Sequence, residues 1–154
     1  PPPPAPVAAP APPPPPPEAR FGGPIVDVGL SRQLDPANYA FGRVGYEIPL
    51  VGKLHLIGLV GGAVRWMGND GGSAFTADAL LDYRWIGRVS LGAGAGYWSG
   101  NDGQADLIAD VGYLAFGAPD GRNAEVFLEG RARADELDNF DDFARIGLGL
   151  RFRF

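Results

Sequence analysis

The sequence predicts an all-β fold: an eight-stranded antiparallel up-and-down β-barrel with a Pro-rich N-terminal extension. Three observations carry that expectation. Proline and glycine, 16 and 24 of the 154 residues, are segregated, with prolines 1–4, 6, 10 and 12–17 crowded at the start and every glycine after residue 21. Beyond residue 21 apolar positions recur with period 2, in stretches of about ten residues, and almost never with the period of a helix. The stretches are separated by turns of two alternating kinds, one tight and one longer and more polar.

Residues 1–20 form the first unit. Through Pro17 they are Pro and Ala with a single Val, which supplies too few backbone donors for a helix and too little bulk for a core. The expected state is polyproline II or disorder; fully extended in that form, the first 17 residues reach roughly 50 Å. Such a segment serves either as a solvated spacer or, through Pro12, Pro13, Pro14, Pro15, Pro16 and Pro17, as a ligand for an aromatic groove.

Residues 21–154 form the second unit, with strands expected at 23–32, 39–49, 53–66, 74–85, 88–98, 105–116, 124–134 and 143–154. The tight turns are Val51-Gly52, Ile86-Gly87 and Ala118-Pro119-Asp120-Gly121. The longer connections are Gln33–Asn38, Met67–Ser73, Ser99–Gln104 and Asp135–Asp142. Short turns at one end and long ones at the other describe a meander with two unlike ends.

Residue types on the two faces decide which one meets lipid. In the last strand Ala144, Ile146, Leu148, Leu150, Phe152 and Phe154 share a face, opposite Phe143, Arg145, Gly147, Gly149, Arg151 and Arg153. The fourth strand sets Phe75, Ala77, Ala79, Leu81, Tyr83 and Trp85 against Ala74, Thr76, Asp78, Leu80, Asp82 and Arg84. Along the apolar face the aromatics gather near strand ends. Trp66, Phe75 and Tyr97 lie toward the long loops, and Tyr46, Tyr83, Trp85, Phe152 and Phe154 toward the tight turns. An aliphatic band between two aromatic girdles is the pattern of a lipid-facing barrel exterior, so the barrel is read as transmembrane.

The inward face then holds acids Asp27, Glu47, Asp78, Asp82, Asp106, Asp110, Glu125 and Glu129 against bases Arg43, Arg65, Arg84, Arg131, Arg133, Arg145, Arg151 and Arg153. Eight strands leave an interior just wide enough for side chains, and balanced Arg–carboxylate pairs are expected to fill it, which disfavours an open pore. The network singled out is Asp78, Asp82, Arg84, Glu129, Arg131, Arg145 and Arg151. Inward glycines, including the alternating run Leu91–Gly96, are expected to make room for guanidinium groups; no strand-turn-helix context supports reading that run as a dinucleotide loop.

Composition excludes other classes. With 13 basic against 18 acidic side chains and a net charge of −5, no excess of Lys/Arg exists to neutralise nucleic acid. Without cysteine there is neither a disulfide nor a thiolate site. The run LIGLVGGAV from Leu56 to Val64 is too short for a spanning helix, which needs roughly 20 residues. A chain opening on Pro1 with no apolar targeting stretch is expected to have had any signal peptide removed, or to be a sequence that never included one.

Residues 21–154 resemble the small eight-stranded bacterial outer-membrane barrels of the OmpA transmembrane-domain, OmpX and opacity-protein type. The most specific element is the ending RIGLGLRFRF, in which Ile146, Leu148, Leu150, Phe152 and Phe154 fit the terminal signal read by the barrel assembly machinery. One departure is a Pro-rich segment that precedes the barrel, where OmpA-like proteins usually carry a linker after it. The resemblance implies an outer-membrane location, contact with lipid and lipopolysaccharide, and no cofactor. An even strand number puts both termini on one side, the periplasm, with the longer loops outside.

Enzymes exist among such barrels, but the one histidine, His55, lies inward at the tight-turn end with no matching serine motif, and reads as structural. No catalytic, cofactor or metal residues are expected. The acidic stretch Asp135–Asp142 offers carboxylates to divalent cations bridging lipopolysaccharide phosphates, or simply stays solvated; its spacing is not that of a calcium loop. The functional expectation is a non-enzymatic structural anchor or assembly subunit whose Pro-rich arm contacts a periplasmic or envelope protein. The alternatives are a surface adhesin of the opacity type, which the short loops disfavour, and a narrow channel.

Overall fold

A computed structural model describes residues 22–34, 37–67, 72–100, 103–135, 137 and 144–154. The Pro-rich arm with Pro12–Pro17, Phe143 and most of the acidic stretch lie outside the described residues. Eight strands, β1 Gly23–Gln33, β2 Ala37–Val51, β3 Leu54–Met67, β4 Ser73–Ile86, β5 Val89–Trp98, β6 Gln104–Gly117, β7 Asn123–Arg133 and β8 Arg145–Arg153, pair in sequence order, and β8 closes on β1. Every pairing is antiparallel. The eight-stranded up-and-down barrel expected from the alternation is the fold observed.

The tight connections follow from backbone chemistry. Gly52 and Gly87 open two-residue turns at φ 56° and 57°, and Gly117 begins the third connection at φ 87°, in the left-handed region that glycine enters without a Cβ clash. β2 runs longer than the alternation suggested because Ala37 and Asn38 still pair with Gln33 and Arg32 of β1. At its other end Pro49, which has no N–H to give a ladder, sits where the register shifts between Pro49 and Val51. The Phe154 amide continues past β8, donating to the Pro24 carbonyl at 3.2 Å.

Polarity is inverted relative to a water-soluble core. Arg151 is the largest of the fully buried side chains, and Asp27, Glu47, Asp82 and Asp106 are buried with it. Outside, Val44, Val64, Trp66, Phe75, Trp85, Leu128, Leu148 and Phe154 stand in the open. The expected girdle residues all point outward, and Tyr113 and Phe116 extend the tight-turn girdle.

The interior is not charge and glycine alone. Ile25, Ile57, Leu59, Leu80 and Ile108 form one buried apolar cluster. Tyr39, Ala63, Ala74 and Trp98 form another at the long-loop end, with Tyr39 and Trp98 edge to face at 5.2 Å. Inward glycines mostly serve different neighbours from those expected. A Cβ at Gly92 would collide with the Asp110 carboxylate, one at Gly96 with that of Asp78, and one at Gly112 with that of Glu125. At Gly29 and Gly149 the obstacles include the rings of Phe41 and Phe127. At Gly61 the near atoms include the backbone and side chain of an arginine, Arg43. These carboxylates lie against the wall of the neighbouring strand, and glycine leaves that wall clear.

Candidate functional site

The charged interior is one connected network running the length of the barrel. At the long-loop end Arg145 pairs with Asp106, and its guanidinium lies over the Trp98 ring at 3.9 Å. Arg131 reaches Asp106 at 3.5 Å, Glu129 at 2.7 Å and, closer still, Asp78. Arg43 bridges Asp78 at 3.0 Å, Glu129 at 2.8 Å and Asp27 at 3.1 Å, with its cationic plane 4.8 Å from the Phe41 ring.

Asp27 is the turning point. Its two oxygens accept from Nε and Nη2 of Arg151 at 3.0 and 3.1 Å, a fork that spans the β1–β8 seam where the barrel closes. Arg151 goes on to Asp110 at 3.2 Å and Glu125 at 3.6 Å. Arg153 joins Glu125 at 3.1 Å to Glu47 at 2.8 Å, and lies 3.9 Å from Asp82. Glu47 also meets Arg84 at 3.4 Å and the Nδ1 of buried His55 at 3.1 Å. Signs alternate at every step, so each buried charge has an opposite neighbour within 4 Å.

Among the residues singled out from the sequence, Asp78, Glu129 and Arg131 touch directly. Arg145 joins them through Asp106, and Arg151 through Asp27 and Arg43. Asp82 and Arg84 stand at the tight-turn end, connected through Arg153 and Glu47. The hubs Asp27, Arg43 and Arg153 were legible as inward-facing charges, but alternation assigns a face and not a partner. Arg43, Arg151 and Arg145 lie over the inward rings of Phe41, Phe127 and Trp98; Phe41 stands two residues from Arg43 on β2, whereas Phe127 and Trp98 meet their arginines across strands, which no local spacing shows.

Two of the eight inward bases stand at the rim. Arg65 and Arg133 are at the long-loop mouth, where strand ends meet solvent: Arg65 donates to the Met67 carbonyl at 3.4 Å, and Arg133 pairs with Asp135 at 2.8 Å. Arg84 is half-buried, so the buried set is eight acids against five arginines. Two cavities between these side chains are small. One at the long-loop end, bordered by Phe41, Trp98 and Arg145, and one at the tight-turn end, bordered by Arg88, Pro119 and Glu125, each hold about 20 Å³, room for about one water. Among the described residues no group of three or more His, Asp or Glu is placed to hold a metal ion.

No family model matches the sequence, and no curated protein matches it. Among solved structures, the N-terminal β-barrel domain of Pseudomonas aeruginosa OprF superposes with a TM-score of 0.54 at 17% identity, over 86% of this chain and 97% of that one. The chain has the fold of the OprF barrel domain. At that identity the likeness to OprF is one of architecture, so the roles of individual side chains rest on the interior geometry described above.

Proposed function

We propose that the chain is a non-enzymatic barrel of the bacterial outer membrane, acting as a structural anchor or assembly subunit, with both termini on the periplasmic side. The single observation that carries this reading is the inversion of polarity. A closed wall of exposed Val, Leu, Ile and aromatic side chains surrounds a buried ion network, and only a hydrocarbon solvent makes that arrangement favourable. The likeness to the OprF barrel domain supports it. A plugged interior with cavities of about one water each favours an anchor over a conducting pore. Residues 1–20, through Pro12–Pro17, are the part proposed to contact a periplasmic or envelope protein, since a prolyl rod loses little entropy on docking.

The test is fractionation of a Gram-negative cell making the full chain. Heat-modifiable, folded protein should sediment with the outer membrane, and removal of residues 1–20 should leave it there while releasing a co-purifying envelope protein. Recovery from the inner membrane or the soluble fraction would overturn the location. Identical partners with and without the arm would overturn the role of the arm.

A further inference from the structure

The three tight connections share a composition that turn geometry does not require. Val51, Gly52 and Lys53 lead from β2 to β3; Ile86, Gly87 and Arg88 lead from β4 to β5; Phe116 to Arg122 lead from β6 to β7. Glycine already supplies the positive φ at each of them, so the flanking positions were free to be small and polar. Instead each connection carries one large, highly exposed apolar side chain and one base. Phe116, Val51 and Ile86, at 74%, 67% and 65% exposure, are the most exposed large hydrophobics among the described residues. Lys53, Arg88 and Arg122 are exposed too, and Asp120 is the one acid in these connections.

These bases lie just beyond the girdle formed by Tyr46, Tyr83, Trp85, Tyr113 and Phe154. Backbone carbonyls hold two of them at that level: Lys53 Nζ donates to the Trp85 carbonyl at 3.4 Å, and Arg88 Nη1 to the Leu114 carbonyl at 2.9 Å. Each group keeps further N–H donors. The opposite rim has the reverse charge in sequence. Its connections carry Asp35, Asp70, Asp102, Asp135, Glu136, Asp138, Asp141 and Asp142, against Arg32, Arg65 and Arg133 nearby.

We propose that the tight-turn rim is a docking collar for the headgroups of an anionic phospholipid of the phosphatidylglycerol type. Val51, Ile86 and Phe116 enter the acyl region, and Lys53, Arg88 and Arg122 meet the phosphates. The inference rests on the reading of the barrel as membrane-spanning and adds to it which leaflet chemistry the rim selects. The bases stand on three separate turns, each turn with its own apolar anchor, and a lipid supplies a partner for both at once.

The experiment reconstitutes the full chain in phosphatidylcholine vesicles containing a trace of spin-labelled phosphatidylglycerol or spin-labelled phosphatidylcholine, and measures the motionally restricted fraction of each label. The anionic label should be preferred by about fivefold at a site facing one base at low salt. The preference should fall by more than half in the triple variant Lys53→Gln, Arg88→Gln, Arg122→Gln and stay unchanged in Arg32→Gln, which alters the opposite rim. If the triple variant does not give heat-modifiable folded protein, the single change Lys53→Gln carries the test with a smaller drop in the same direction. An undiminished preference in the variants, or an equal loss in Arg32→Gln, overturns the collar. A chain that restricts neither label refutes the membrane-spanning reading itself, and the collar with it.

Discussion

Replacing Asp27 by Asn keeps the shape of the side chain and removes the charge at the seam of the barrel. Asp27 is fully buried and holds Arg151 by two hydrogen bonds at 3.0 and 3.1 Å and Arg43 by one at 3.1 Å. Losing one partner of a buried ion pair costs about 3–5 kcal/mol. Arg151 retains Asp110 and Glu125, and Arg43 retains Asp78 and Glu129, so the loss belongs at the lower end. The expected cost is about 3 kcal/mol, roughly a 150-fold shift in the unfolding equilibrium. The assay is reversible urea unfolding in thin lipid bilayers, followed by tryptophan fluorescence and by migration of unheated samples. Arg32→Gln is the control, since Arg32 is exposed at the long-loop end of β1 and a surface substitution there should change stability by no more than about 0.5 kcal/mol. If Asp27→Asn unfolds within error of Arg32→Gln, the interior network does not hold the barrel together and the reasoning fails.

Two glycines should respond in opposite ways to alanine. At Gly94 the new Cβ would collide with the Ala79 carbonyl oxygen and come within 2.8 Å of the Leu80 Cα, costing about 1–3 kcal/mol in the same unfolding assay, whereas outward-facing Gly58 has open space and should be neutral or stabilised by up to about 1 kcal/mol. Deleting Phe154, or replacing it by Asn, should lower the amount of heat-modifiable barrel in the membrane, because the residue belongs to the apolar wall and its amide ties β8 back to Pro24; wild-type levels would contradict that role. In planar bilayers the unmodified protein should show no steady porin-sized openings, given cavities of about one water beside the network; sustained large conductance would show the plug to be open.

Most of the fold was legible because the signal is redundant. Leu148, Leu150 and Phe152 repeat on one face what Leu81 and Tyr83 repeat two hairpins away, and a one-residue slip in either strand would turn charges toward the apolar side. Boundaries were less secure, as at β2, where extension to Ala37 depends on pairing with Gln33, a partner that no local pattern names. Facing was readable for every buried charge, yet partnership was not. Asp27 meets Arg151 only because β8 closes on β1 across 124 residues of sequence. The glycines show the same limit: that Gly92, Gly96 and Gly112 accommodate carboxylates rather than arginines depends on strand register, which places Asp110, Asp78 and Glu125 beside them. That Trp98 lies under Arg145 and Phe127 under Arg151 depends likewise on which strands face each other inside the barrel.

The central claim is that the apolar wall faces lipid along its whole circumference. Because the chain has no cysteine, a single nitroxide can be attached at one introduced Cys with no competing site. Placed in turn at Val60, Ala79, Leu107, Leu128 and Leu148, outward positions on five strands, the label reports its solvent through collisions with oxygen and with a water-soluble nickel chelate. In reconstituted bilayers, oxygen collisions should dominate at all five positions and the nickel reagent should be nearly excluded. Free access of the nickel reagent at these positions, in protein shown to be folded, would mean that the wall meets water and would contradict the account.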